Sequence, residues 1–229
     1  MKERANVDVP VVSREATGGL LDGVYAITVT LLVLELPGDF TSIEEIKSAV
    51  PKVLDYFLAF SVAFGLWVHH RRINLLIERN SSLILLLHGV TLALTCLMPA
   101  ALNASYGVEV GETRNPLWAI SRGVVNLTVV VDLWLIGLVL SCDLLLVIIL
   151  IVGDRGEKSN RHHTLLRLKL VSSIVLLFTL VLAFLFIPHA RLALLVLPLW
   201  LLLEPSIQRK WITMSEDSTA SNSSAQAHP

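Results

Sequence analysis

At 229 residues, with 54% apolar side chains and a mean hydropathy of +0.70, the chain lies outside the range of soluble globular domains. Its 18 Lys and Arg nearly balance 19 Asp and Glu, and the net charge of -1 decides nothing because the charges are segregated by loop. The apolar residues fall in blocks of membrane-spanning length, where about 20 residues cross a hydrocarbon core of about 30 Å, so the chain reads as an all-α integral membrane protein with no role for nucleic acid.

Residues 1–17 form a mixed-charge polar lead, read as a cytosolic N-terminal segment. The start, MKERANVDVP, lacks the apolar core and cleavage site of a signal peptide. The first span runs from Leu20 to Pro37, LLDGVYAITVTLLVLELP, and Pro37-Gly38 closes it. At 100° per residue, Ile27, Leu31 and Leu34 lie within about 60° of each other on a helix, with Thr30 at the stripe's edge. They make an aliphatic column about 10 Å long, and Asp22 points to the opposite side. Leu-rich spans produce such stripes freely, so a lipid-facing or packed helix is the competing reading. Thr41 to Pro51 reads as an interfacial turn. The second span, Lys52 to Trp67, is expected to stop at the cluster His69-His70-Arg71-Arg72, with Trp67 as an interfacial anchor. The third, Ser82 to Leu102, carries His88 and Cys96, and the polar loop Asn103 to Asn115 follows.

Leu117 to Val152 is about twice as long as the spans before it and contains Arg122, Asn126, Asp132 and Asp143. It is either one long helix projecting past the bilayer or two short crossings. Charge bias favours one. With six spans and an inside start, thirteen of the 18 Lys and Arg fall inside, whereas splitting the segment exports the basic loop of Arg155 to Lys169. The fifth span is Leu168 to Ile187, Pro188 begins a turn, and the sixth, Leu192 to Leu203, stops at Glu204-Pro205. The expected organisation is therefore residues 1–17 cytosolic, 18–208 a six-span domain, and 209–229 a cytosolic, mostly disordered tail. A prokaryotic plasma membrane fits best.

A carboxylate within a span is costly unless paired. Asp22 is expected to bond His70, Arg71 or a helix N-terminus and so hold span one against span two. The pairs His69-His70 and His162-His163 invite a metal reading, but both stand among arginines, which repel cations. Cys96 and Cys142 both lie in apolar runs, which argues against a disulfide framework. No metal and no cofactor are expected. His88 reads as a packing or hydrogen-bonding histidine, with proton relay as the alternative. Asp132 and Asp143, eleven residues apart, share a helical face. They line a cavity, pair with Arg122 or lie beyond the bilayer. Glu35 stands near the outer end of span one, either at a pore mouth or simply exposed.

The run Asp22-Gly23-Val24-Tyr25-Ala26-Ile27, continuing as Thr30-Leu31-Leu32-Val33-Leu34-Glu35-Leu36, resembles the first-span signature of the transmembrane protein 175 family of potassium channels. That signature is an arginine, three residues, FSDG and an aliphatic run. The stretch YFLAFSVAFGLWVHHRRINLLIERNSSLILLLHGVTLALTCLMPAAL resembles the family's second and third spans, so the likeness covers Leu20 to Leu102. Departures are clear: FSDG is LLDG, and Ala16 occupies the arginine's position, with Arg14 two residues early. The resemblance implies a homotetramer of six-span subunits conducting K+, with no enzymatic residues. It puts Ile27, Leu31, Leu34 and Thr30 at the pore and includes Asp22 in its signature; Asp22 and Gly23, with Trp67, His70 and Arg71 of span two, are the expected structural motif. Aliphatic rings close a pore by dewetting, and no TVGYG-like filter loop occurs in the chain. A proton-coupled transporter using Asp22, His88, Asp132 or Asp143 is the alternative, although no internal repeat supports it. A non-conducting scaffold is the third reading. No HExxH helix or nucleophile elbow points to an enzyme.

Overall fold

The computed structural model describes residues 12–34, 36, 42–77, 81–101, 116–121, 123, 127–153, 160–186 and 193–206. Expectations resting on residues 1–11, Glu35, Pro37-Gly38, the loop 102–115, Arg122, Asn126, the loop 154–159, Pro188 and the tail beyond 206 lie outside the described residues. Within them the chain is helical: α1 Arg14–Leu34, α2 Ile43–Leu76, α3 Ser82–Cys96, α4 Pro116–Ser121, α5 Leu127–Gly153, α6 Asn160–Phe186 and α7 Val196–Ser206.

Five of these, α1, α2, α3 (continued through Ala101), α5 and α6, are long and apolar enough to cross a membrane. The sixth expected span, Leu192 to Leu203, is instead a shorter apolar helix that runs on to Ser206. At 1.5 Å per residue it is about 17 Å long, well short of a hydrocarbon core.

Helix boundaries depart from hydropathy where local chemistry overrides it. α1 starts at Arg14, upstream of the expected Thr17 limit, with Glu15 in its first turn where the helix dipole favours an acid. α2 begins well before Lys52 because Ser42 caps it, its Oγ accepting from Glu45 N at 3.2 Å, and Glu44 and Glu45 occupy the first turn. The expected turn at Thr41–Pro51 is thus mostly helix, and Pro51 sits inside it with one backbone donor lost. Nor does α2 stop at the His69–Arg72 cluster. It runs to Leu76 and ends with Ile77 extended, because His69, His70 and Asn74 are buried against other helices. The long fourth segment resolves as one crossing. The short α4 is separated from α5 by a break containing Gly123, whose φ of 74° only glycine adopts freely.

α1 packs on α2 and α3, α3 on α5, and α5 on α6. One core cluster joins Leu21, Tyr25 and Leu32 of α1 to Leu66 of α2, Leu92 of α3, Val139 of α5, Leu180 of α6 and Leu197 of α7. A second gathers Ile73, Ile84, Leu146, Ile149 and Leu166 toward the other end. Lipid is as apolar as leucine, so these contacts stabilise through close packing, not through removal from water. Gly65 marks a close approach of α2 and α7. A Cβ there would stand 2.1 Å from Leu197 Cδ2 and 3.3 Å from Leu201 Cδ1. Gly65→Val should push α7 off α2 and cost about 1–3 kcal/mol, the usual range for an overpacked core. Gly137→Ala, with no atom within 4 Å of the new carbon, should instead be neutral or gain up to about 1 kcal/mol. Thermal unfolding in detergent distinguishes the pair, and a Gly65→Val protein as stable as the parent would refute the close approach.

Candidate functional site

α1 carries two faces of different character. Leu21, Tyr25, Thr28 and Leu32, at spacings of four, three and four, are buried against α2, α3 and the core behind them. Ile27, Leu31 and Leu34 look away from the subunit, 59%, 41% and 76% exposed. Thr30 is exposed with them, and its hydroxyl is spent on the helix itself, donating to Ile27 O at 2.8 Å. A single chain therefore presents an aliphatic column, with little hydrogen-bonding capacity, on the side that its own fold does not cover.

The opposite face is pinned near the start of the helix. Asp22 Oδ1 accepts from Trp67 Nε1 at 2.8 Å, and Arg71 Nε lies 3.8 Å from the same oxygen. Trp67, expected as an interfacial anchor, is a hydrogen-bond donor to the span-one carboxylate. Of the partners expected for Asp22, Arg71 is in place while His70 turns elsewhere. His70 is fully buried, with the Tyr25 hydroxyl 3.4 Å from its Nδ1 and His88 Nδ1 2.6 Å from its Nε2. Tyr25 meets the His70 ring edge-on, and the two imidazoles lie nearly parallel with centroids 4.9 Å apart. A polar chain thus links α1, α2 and α3 through the middle of the subunit, with His88 in a hydrogen-bonding role.

Two further contacts tie the same end. Arg14 Nη1 donates to Leu75 O at 3.2 Å, and Asn74 Nδ2 donates to Arg14 O at 3.3 Å. Gly18 gives the Arg71 guanidinium its room, since a Cβ at that position would lie 1.8 Å from Nη1. Gly23 has open space around it and makes no such contact.

The other half of the cluster faces the back of the subunit. His69 Nε2 is 3.4 Å from Asp143 Oδ1 and 3.3 Å from Ser173 Oγ, while Lys169 Nζ is 3.2 Å from its Nδ1. Lys169 also bonds Glu204, which accepts from Ser172 Oγ at 2.8 Å and from Arg72 Nη1 at 2.7 Å. All of His69, Asp143, Lys169 and Glu204 are buried. Sequence reading missed Lys169 and Glu204 as members of any site. One signal could have found Lys169: it falls within the expected fifth span, Leu168 to Ile187, and a lysine there calls for a buried partner. Asp132 and Asp143 are both buried in α5, inside its apolar window Val129–Gly153, with Asp143 meeting His69. Among the described residues no three His, Cys, Asp or Glu side chains gather as a metal site. Cys96 and Cys142 are both free thiols, the first exposed and the second buried.

Residues 18–99 match the model of a family described as endosomal/lysosomal potassium channel TMEM175. A potassium channel of Chamaesiphon minutus is 36% identical over 94 residues, covering 37% of this chain and 46% of that protein. The chain thus spans about half the length of the curated relative it matches. Its fold is similar to the crystal structure of a lysosomal potassium-selective channel TMEM175 homolog from the same organism, with a TM-score of 0.57 and 19% identity. That likeness covers 84% of this chain and 96% of the other.

Proposed function

We propose that this chain, which matches the TMEM175 potassium-channel family model through residues 18–99, forms a potassium-permeable cation channel. Several copies, on the family's pattern a homotetramer, would assemble with α1 at the axis, and Ile27, Leu31 and Leu34 would close the pore as stacked aliphatic rings. The observation that carries this reading is the exposed column of α1, which lies inside the matched segment and opposite the face its own subunit buries. A narrow ring of methyl groups expels water, and an ion cannot leave its hydration shell there without replacement oxygens. Thr30, its hydroxyl turned onto Ile27 O, adds little such replacement.

Flux from purified protein in liposomes under a potassium gradient tests the reading. Wild type should pass K+, and Leu34→Ala and Ile27→Ala, by widening the rings, should increase that flux severalfold. No flux from any of the three, in protein shown to be folded and oligomeric, would sink the channel. Its termini are proposed to be cytosolic on the charge bias, and a prokaryotic plasma membrane is the proposed location.

A second reading rests on the buried His69–Asp143–Lys169–Glu204 set, since ionisable groups inside a membrane protein mark proton or ion paths by default. In a proton-coupled carrier, Asp132→Asn or Asp143→Asn would abolish transport. In the channel, both would leave conduction through α1 intact.

A further inference from the structure

A cavity of about 340 Å³ opens beside the ion network, and it is independent of the pore reading. Leu75, Leu76, Leu165 and Leu168 form its apolar walls, and Arg72 and Lys169 border it. Three elements meet there: the C-terminal end of α2, the first turns of α6 and the last turn of α7. The apolar span of α6 begins at Thr164, so Leu165, Leu168 and Lys169 occupy its first two turns. The start of that apolar window is where the membrane–water boundary, with its headgroup phosphates, is expected to fall.

We propose that this cavity binds the phosphate ester of an anionic phospholipid, with Arg72 on the phosphate and the leucine walls against the upper acyl chains. Two cations border the cavity; Lys169 is committed to Glu204 and to the His69–Asp143 pair behind it, so Arg72 is the cation at the cavity with donors to spare. Arg72 is partly exposed and reaches Glu204 through Nη1. A guanidinium carries five N–H donors in a planar fork, so a phosphate can be held while the Glu204 bond persists. Lys169 is buried, and it reinforces the potential from behind without needing to move. A soluble phosphate would find the same donors, but it would leave the leucine walls without a partner. The walls favour a lipid.

Native mass spectrometry of the full chain in detergent, titrated with dioleoylphosphatidylglycerol or dioleoylphosphatidylcholine, tests this directly. Wild type should retain phosphatidylglycerol at least fivefold better. Leu165→Trp, which fills the cavity without touching the ion network, should lose that preference in protein that still elutes as the parent does. Arg72→Lys, which keeps the charge and loses the fork, should weaken it. Equal retention of the two lipids by wild type overturns the proposal, whatever the variants do. So does an undiminished preference in folded Leu165→Trp. Displacement of phosphatidylglycerol by millimolar inorganic phosphate would overturn the lipid in favour of a soluble anion.

Discussion

Leu31→Asn should raise potassium leak through reconstituted protein at least tenfold, whereas Leu32→Asn, one position along, should yield little folded protein. The two leucines differ in what surrounds them. Leu31 belongs to the exposed column of α1, and Leu32 is 2% exposed within the core. An amide in the column supplies donors and acceptors where the proposed gate has none, so water and ions enter at lower cost. The same amide at position 32 is buried without a partner, at a cost of roughly 1–3 kcal/mol, on top of the packing lost with the leucine. Liposome flux and the yield of monodisperse protein read the two effects separately. Equal behaviour of the variants would mean that the two faces of α1 are not distinct in the assembled protein.

Glu204→Leu is expected to be among the most damaging single substitutions, and Lys169→Met on top of it is expected to repair much of the harm. Glu204 accepts from Lys169, Arg72 and Ser172 while buried, so its removal strands a buried ammonium. Breaking such a pair from one side costs about 3–5 kcal/mol, while replacing both members by apolar groups is often neutral. Chemical or thermal unfolding of the two single variants and the double variant forms a double-mutant cycle. A coupling energy near zero would show that the network contributes nothing as a unit.

These pairs also explain why some of the architecture is legible in the sequence and some is not. The placement of membrane-length helices follows from runs of apolar residues, which is a local property, and five lie where hydropathy puts them. The two-faced character of α1 follows from helical periodicity, so the stripe of Ile27, Leu31 and Leu34 is readable from residue spacing alone. The ends of helices are not. A polar cluster such as His69–Arg72 reads as an exit from the bilayer unless its partners are known, and Glu204 lies 132 residues beyond Arg72. Successive residues on a helix point about 100° apart, so the four side chains leave α2 in four directions. His69 reaches α5 and α6, His70 reaches α1 and α3, Arg71 reaches α1, and Arg72 reaches α7. Adjacency in sequence suggests one shared task, and divergence in space gives four. The choice of Trp67 over His70 as the donor to Asp22 has the same origin.

The polar ties on α1 are unevenly distributed. Arg14, Asp22 and Tyr25 are bonded or paired to other elements, and the Thr28 hydroxyl faces Cys96 Sγ at 4.0 Å. Past Thr28 the helix is held by apolar packing, with Leu32 in the core. Mechanically this is a lever with its pivot at one end. Twelve residues separate Asp22 from Leu34, about 18 Å at the helical rise, so a tilt of about 10° around the pivot carries the tip roughly 3 Å. That displacement is comparable to the radius of a hydrated constriction. In the proposed assembly, spin labels at position 34 should accordingly show a broader distance distribution between copies than labels at position 20, and equal widths would mean that the lever is rigidly seated along its whole length.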